Sequence, residues 1–375
     1  MDCITGDGSM LGAGVRDRLP SLLDSLHARK VLLVGSNRAV HHAGIAQLLS
    51  GFQTHRFSAF TPNPTIEQAL ECSRVRVWYQ PDAIVAVGGG SSIDMGKLAS
   101  ALAAERSAAL RQLAGAHAGL VSVPVVALPT TAGSGSEVTS FATVYVDDKK
   151  RSLDSPHLRP LNFLYDSDLL ATCKKEVAHA PAFDALCHAV ESYWSTGSVA
   201  RSRELACSAL RLLLPSLRDG FQFDDPAFRK RVALAANLAG RAIAISRTTA
   251  AHGCAYGLTM RYGLPHGIAA LVNLTWLFDY NIQKWPSHTI DRRGVEFVRR
   301  RMFYLERMIG EFASNGSPAD FFRMLLAREG YPQSVRDISA DTRKLACVIS
   351  DGLHSQRAGL NPVHLDAGSL QFALR

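Results

Sequence analysis

The chain has 375 residues, with 41 Lys and Arg against 33 Asp and Glu for a formal net charge of +8; single cores rarely grow past about 250–300 residues, so two domains are expected. With 47% apolar and 20% charged residues it carries ample core material, which excludes a disordered protein. A membrane span is excluded too, because the most apolar helical stretch, Val232 to Ile245, is broken by Arg241 and falls short of the roughly 20 apolar residues a bilayer requires.

In the N-terminal half, strand and helix signals alternate. Lys30–Gly35 is a short apolar run ending in glycine, the pattern of a buried parallel strand. A helical stretch follows through Ala43 to Leu49, then a mixed segment, Thr54–Phe60. Thr61-Pro62-Asn63-Pro64 breaks the chain, and Thr65 is placed to cap a helix over Ile66–Val77. Asp82–Val87 is a second buried strand, ending in Gly88-Gly89-Gly90; a helix from about Ser92 to Ala104 and a third strand, Val123–Leu128, complete the series. Strands separated by helices of this length imply a parallel sheet with crossover helices. From about residue 176 long amphipathic segments take over: Phe183–Trp194, Ala200–Leu214, Pro226–Ile245, Val295–Ser314 and Pro318–Glu329, with no convincing strand. This half reads as a helical domain.

Four segments carry chemistry. The first, Gly88 to Lys97, leaves a strand and opens a helix, where glycines let a pyrophosphate approach unpaired N–H groups and the helix dipole. Its spacing is neither GxGxxG nor a P-loop. The second, Pro129 to Thr139, follows another strand and is rich in Gly, Ser and Thr, suited to wrap a ribose or nicotinamide. Paired in one sheet, the two loops point to a nucleotide crossing the strand C-termini, with Gly88, Gly89, Gly90, Ser91, Asp94, Thr130, Thr131 and Ser134 as its contacts. In the third, Asp184 and His188 stand at i and i+4, on one helix face and able to share an ion or simply a hydrogen bond. In the fourth, His252 and His266 flank a turn that could bring both to one point. Together Asp184, His188, His252 and His266 form a donor set suited to Fe²⁺ or Zn²⁺.

The ordered set GGGSSIDMGK, PTTAGSGSEVT, FDALCHAVE and AHGCAYGLTMRYGLPHG closely resembles the iron-containing (group III) alcohol dehydrogenases, with similarity extending from Leu11-Gly12-Ala13-Gly14 to Asn361-Pro362. The resemblance implies a dehydroquinate synthase-like fold. An α/β, Rossmann-like nucleotide-binding domain would occupy residues 1–175 and an all-α metal-binding domain 176–375. It implies that Asp184, His188, His252 and His266 are the metal ligands, that the chain is a homodimer, and that the reaction is metal-assisted, NADPH- or NADH-dependent reduction of an aldehyde to its primary alcohol. Three stretches, Ser140–Tyr145, Ala189–Ser195 and Gly240–Ile243 with Thr248-Thr249-Ala250, look like the phosphonoacetaldehyde reductases of phosphonate antibiotic pathways, which makes the expected substrate a small anionic aldehyde. Many family members carry a second histidine where this chain has Tyr256, so the product proton is expected from Tyr256, a ribose hydroxyl or water. The glycine usual ahead of the metal aspartate is replaced by Ala182-Phe183.

Cofactor choice and substrate charge rest on single residues. After the first strand stands Gly35-Ser36-Asn37-Arg38, with no carboxylate to repel a 2′-phosphate and Arg38 placed to meet one; Ser36 and Arg38 are therefore cofactor contacts and NADPH is accepted. Arg247, five residues before His252, and Lys150 are the cations for a phosphonate, Arg because its planar fork reaches two oxygens. Maleylacetate reductase or another group III alcohol dehydrogenase is the nearest alternative, and a catalytically dead binding protein of this fold the alternative from another class, against which the intact donor set argues. The +8 charge admits a nucleic-acid partner or steering of anions, but no basic patch is interleaved with aromatics, so neither nucleic acid nor membrane is expected. The dense cluster Arg292, Arg293, Arg299, Arg300 and Arg301 reads as the solvated face of a helix. Seven scattered cysteines without CxxC read as reduced thiols; with no signal-peptide pattern at the N-terminus, the expected location is cytoplasmic.

Overall fold

The computed structural model describes residues 3–4, 8–116, 122–147, 149–173, 175–313 and 316–374. Two compact units emerge: Met1–Lys174 with Phe223–Ala233, and Lys175–Gln222 with Leu234–Arg375. Assignment of Phe223–Ala233 to the first unit is not legible in the sequence. Arg229 is buried there, its guanidinium donating to Phe223 O at 2.8 Å, Asp224 O at 3.1 Å and Asp168 Oδ1 at 3.2 Å, and no local pattern encodes a partner 61 positions away.

The first unit is built on a seven-stranded sheet of β1 (Cys3–Ile4), β2 (Met10–Gly12), β3 (Lys30–Val34), β4 (Gln53–Phe57), β5 (Ala83–Gly88), β6 (Val125–Pro129) and a later strand, Asn162–Asp166; β7 (Phe141–Val146) and β8 (Lys149–Asp154) form a separate antiparallel hairpin, which makes Asn162–Asp166 β9. The sheet order is β1-β2-β9-β6-β5-β3-β4, and every pairing but β1–β2 is parallel. β5 and β6 are buried along their whole length, as strands covered on both faces must be. One face packs against α4 (Ile66–Tyr79), α5 (Gly90–Ala101) and the hairpin, around Leu32, Val34, Ile84, Met95 and Leu98. The other packs against α1 (Leu19–Ser25), α2 (Asn37–His42) and α3 (Ile45–Leu48), around Leu19, Leu23, Val31, Val85 and Val87. α6 (Arg106–Leu113) packs on β8, and its Gln112 reaches back to Ala101 O and Ala103 N–H at the end of α5.

Local signals place several of these elements. Thr65 caps α4 in a reciprocal capping box with Gln68. The single helix expected over Ala43–Leu49 is instead α2 and α3, parted at Gly44 with φ +65°, a left-handed conformation that ends a helix. The hairpin, α6 and β9 carry no sequence signal of the expected kind; the charged faces of β8 mask its alternation.

The second unit is helical: α7 (Lys175–Trp194), α8 (Ala200–Arg218), the greater part of α9 (Pro226–Ser246), α10 (Ala250–Tyr262), α11 (His266–His288), α12 (Val295–Gly310), α13 (Pro318–Arg328), α14 (Thr342–Leu353) and α15 (Ala367–Ala373). α11 runs through the centre, buried continuously from Gly267 to Phe278, and packs on α7, α10 and α13.

The arginine cluster departs from its expected solvated face. Arg292 and Arg293 precede α12, and Arg293 is braced by Asp291 and by the carbonyls of Ser195 and Ser198. Arg299 and Arg300 are solvated, but Arg301 turns inward to Tyr193 Oη at 3.2 Å and, with Arg203 and Arg293, surrounds the Phe297 ring. Basic and aromatic side chains thus interleave in space where they do not in sequence. Among the described residues, no helix is long and apolar enough to cross a membrane, and Cys72, Cys173, Cys187, Cys207, Cys254 and Cys347 are free thiols.

Candidate active site

In the first unit the two glycine-rich loops meet. The chain reverses its order across the sheet beside β3: β4 lies to one side, β5 and β6 to the other. Ligands of open α/β sheets bind at such a switch point, outside the strand C-termini. Residues 35–38, 88–91 and 130–136 all leave strands at that edge. A Cβ at Gly90 would stand 2.8 Å from Ser134 Cβ, and one at Gly89 3.2 Å from Thr131 Oγ1, so glycine is what lets the loops touch. Thr130 N–H donates to Gly88 O at 3.0 Å, Asn63 N–H to Ser91 Oγ at 3.2 Å, and Ser36 Oγ caps α2 by accepting from Ala39 N–H at 3.2 Å. Arg38 is exposed on the first turn of α2.

Asp94 and Lys97 lock these loops from beneath. Lys97 is fully buried, and its ammonium donates to Ser136 Oγ at 2.9 Å, Thr139 Oγ1 at 3.0 Å and Phe141 O at 3.0 Å. Asp94 accepts from Thr143 N–H at 2.9 Å and from the Ser136 hydroxyl, so both its oxygens are engaged within the protein. Burial pushes the Lys97 ammonium down to about 8, with Asp94 and Glu137 offsetting part of the shift. Lys97 stands within the sequence motif, but its tie to a loop some 40 residues away is visible only in the fold.

In the second unit, helix periodicity puts Asp184 and His188 on one face of α7, while Gly263, left-handed with φ +70°, ends α10 so that His266 opens α11 beside His252. Asp184 Oδ1 lies 3.1 Å from His252 Nε2 and 3.7 Å from His188 Nε2. The ligand atoms of Asp184, His252 and His266 all fall within 4.8 Å of one another. The His188 and His252 rings stack at 4.7 Å, and His266 meets His252 edge-on at 5.4 Å. Ligand bonds of about 2.0–2.2 Å separate neighbouring donors by roughly 3–4 Å, so the cluster fits one small divalent ion. Its electrostatics agree. Burial would raise the Asp184 carboxyl, yet His188, His252 and His266 hold it well below the usual carboxylate range. Burial would likewise lower His252, but Glu191 and Asp184 push it up to about 10. Asp184 and Glu191 thus favour positive charge at the imidazole between them.

Glu191 is the residue that sequence reasoning leaves without a role. It is fully buried one turn beyond His188, on the same face of α7, and its carboxylate contacts His252 Nδ1. The spacing 184, 188, 191 is a signal that could have found it. Tyr256 stacks on His266 at 5.5 Å with the planes 11° apart. Arg247, half-buried, sits in the loop between α9 and α10, which is pinned by Ser195 Oγ donating to Ser246 O at 2.8 Å and Trp194 Nε1 donating to Thr249 Oγ1 at 3.0 Å. Lys150 belongs to the first unit, half-buried on β8 opposite Tyr145. Phe183 fills the core against Phe221.

Residues 8–167 match the family described as iron-containing alcohol dehydrogenase, and residues 179–371 the C-terminal region of the Fe-containing alcohol dehydrogenase family. The phosphonoacetaldehyde reductase of Streptomyces viridochromogenes is 36% identical over 328 residues, 83% of this chain and 78% of that one. The alcohol dehydrogenase of Oenococcus oeni has a similar structure, with a TM-score of 0.84 at 25% identity, over 97% of this chain and 96% of that one. The sulfoacetaldehyde reductase of Bifidobacterium kashiwanohense, solved in complex with NAD+, gives a TM-score of 0.79 at 23% identity over 96% and 94%, a likeness of fold.

Proposed function

The chain belongs to the iron-containing alcohol dehydrogenase family of oxidoreductases, and from that premise we propose that it reduces phosphonoacetaldehyde to 2-hydroxyethylphosphonate, with NADPH accepted as hydride donor. The observation that supports the reading is the convergence of Asp184, His252 and His266, with His188 3.7 Å from Asp184 Oδ1 and stacked on His252, in a chain 36% identical to a protein named for that activity. Bound there, a divalent ion supplies Lewis acidity to a carbonyl oxygen, and a nicotinamide supplies the hydride.

This chain's own residues do the rest. Asp184 and the three imidazoles hold the ion. The backbone of Gly88–Gly90 and the hydroxyls of Thr130, Thr131 and Ser134 receive the dinucleotide, whose pyrophosphate charge meets the N-terminus of α5; Lys97 and Asp94 hold the two loops at fixed spacing. Arg38 meets a ribose 2′-phosphate. Tyr256, stacked on His266, holds on its Oη the proton delivered to the product oxygen. Arg247 takes the phosphonate through two parallel N–H···O bonds; Lys150 is the second candidate for that charge.

The test is cofactor oxidation by metal-reconstituted protein against phosphonoacetaldehyde and propanal, with each nicotinamide. Phosphonoacetaldehyde should give the higher kcat/KM, and Arg38→Ala should weaken NADPH more than NADH. A wild-type enzyme that prefers propanal overturns the substrate, and a strong NADH preference unchanged by Arg38→Ala overturns the cofactor assignment.

A further inference from the structure

We infer that Glu191 is a positioning residue for the metal, setting the tautomer of His252 and balancing the charge of the buried centre; the inference rests on the metal reading of Asp184, His188, His252 and His266. Glu191 has no solvent exposure. Its Oε1 accepts from Thr249 N–H at 3.0 Å, the Thr249 hydroxyl at 2.6 Å and Ala251 N–H at 2.9 Å, while Oε2 faces His252 Nδ1. An ionised carboxylate can only accept, so the proton between the two side chains belongs to Nδ1. With that proton held on Nδ1, Nε2, 3.1 Å from Asp184 Oδ1, is the nitrogen that would give up its proton to bind an ion beside Asp184. The three donors from the start of α10 fix the carboxylate, and the carboxylate fixes the ring. Contacts of this kind orient an imidazole ligand and raise its basicity.

Charge leads to the same role. A divalent ion with Asp184 as its only anionic ligand leaves one uncompensated positive charge in a largely buried pocket, and an unpaired buried charge is costly. Glu191 brings the centre to neutrality without occupying a ligand position.

An amide cannot do this. In Glu191→Gln, a side chain that turned its oxygen to Thr249 and Ala251 would have its NH₂ donate to Nδ1 and force the proton onto Nε2, the atom that must bind the ion. Turned the other way, the NH₂ would face three donors. Glu191→Gln is therefore the informative change, read by metal affinity of the apoprotein in competition with a chelator and by the visible spectrum of the Co²⁺ form. It should raise the metal Kd by about 10–100-fold and alter the Co²⁺ bands, with the metal-free protein still folded by circular dichroism. A purely structural role would lower the metal-free Tm and leave Kd and spectrum as in wild type, and that result overturns the inference. If Glu191→Gln does not fold, Glu191→Asp decides. It keeps the charge but is one methylene too short to reach His252, so a several-fold weaker Kd supports the role and a wild-type Kd overturns it. Wild-type apoprotein that takes up no divalent ion overturns the metal reading, and this inference with it; wild type that loads one ion no more tightly than Glu191→Gln overturns this inference alone.

Discussion

Arg247 follows the last residue of α9 with φ +63°, and its N–H donates to Ile243 O at 2.9 Å to close the helix. Glycine is the usual residue for that left-handed closing position, and an L side chain there costs roughly 1–2 kcal/mol. The proposed phosphonate contact would give an arginine a reason to stand at such a site. Arg247→Gly should leave the protein as stable or more stable in denaturant, raise KM for phosphonoacetaldehyde about 10–100-fold through loss of a contact worth about 1.5–3 kcal/mol, and spare propanal. Equal losses on both aldehydes would return Arg247 to a structural role. Lys97 gives a pH signature. Its ammonium titrates at about 8 in the fold against 10.5 when free. Between those values the unfolded chain binds the extra proton, so stability rises with pH across that window, and below about pH 8 the folded protein carries the full cost of the buried charge. The difference is on the order of 3 kcal/mol. Denaturant unfolding at about pH 7.5 and about pH 10 should show wild type gaining about 2 kcal/mol of that difference relative to Lys97→Met; parallel pH profiles would contradict it.

Helix packing holds the proposed metal ligands as much as their own chemistry does. α11 meets α7 where Gly267 lies against the carbonyl of Ala180, so close that a Cβ on Gly267 would overlap that oxygen. The contact stands one residue after His266 and four before Asp184, so prying the helices apart there separates two ligands. Gly267→Ala should cost about 1–3 kcal/mol in stability, the usual range for overpacking, and should also weaken metal uptake. Gly359→Ala, where an added Cβ meets nothing within 4 Å, is the matched control and should stay within about 0.5 kcal/mol of wild type. Thermal melts with metal analysis of both variants would check the pair; undiminished metal content in Gly267→Ala would mean that the ligands do not depend on this contact.

For the whole molecule, a metal bound only by the native state stabilises by mass action. Free ion at about 100 times its Kd adds about 2.7 kcal/mol, or roughly 5–10 °C for a unit of this size. Calorimetry should show that rise when Fe²⁺ or Zn²⁺ is added, its reversal by chelator, and its absence in His252→Ala, which should also lose most activity. A wild-type melt indifferent to metal and chelator would contradict a resident ion. With two units in one chain, the shift belongs to the transition of Lys175–Gln222 with Leu234–Arg375, the unit that carries all four donors.

What the sequence by itself determined is whatever local spacing encodes. A buried strand ending in glycine marks the loop of β5, a buried strand ahead of a Gly, Ser and Thr run marks that of β6, i and i+4 spacing sets Asp184 beside His188, and a short turn brings His266 within reach of His252. Each depends on residues within one element or one turn, where backbone geometry leaves few alternatives. Tertiary structure alone decided the partners. Glu191 finds His252 61 positions away, Lys97 finds Ser136 and Thr139 at 39 and 42, and Arg229 carries Phe223–Ala233 to the first unit through Asp168. Arg203, Arg293 and Arg301 gather round Phe297 from two helices and a loop. These pairings follow from which faces of separate helices and strands come together, and burial then makes each polar group satisfy itself on whatever the packing has placed beside it.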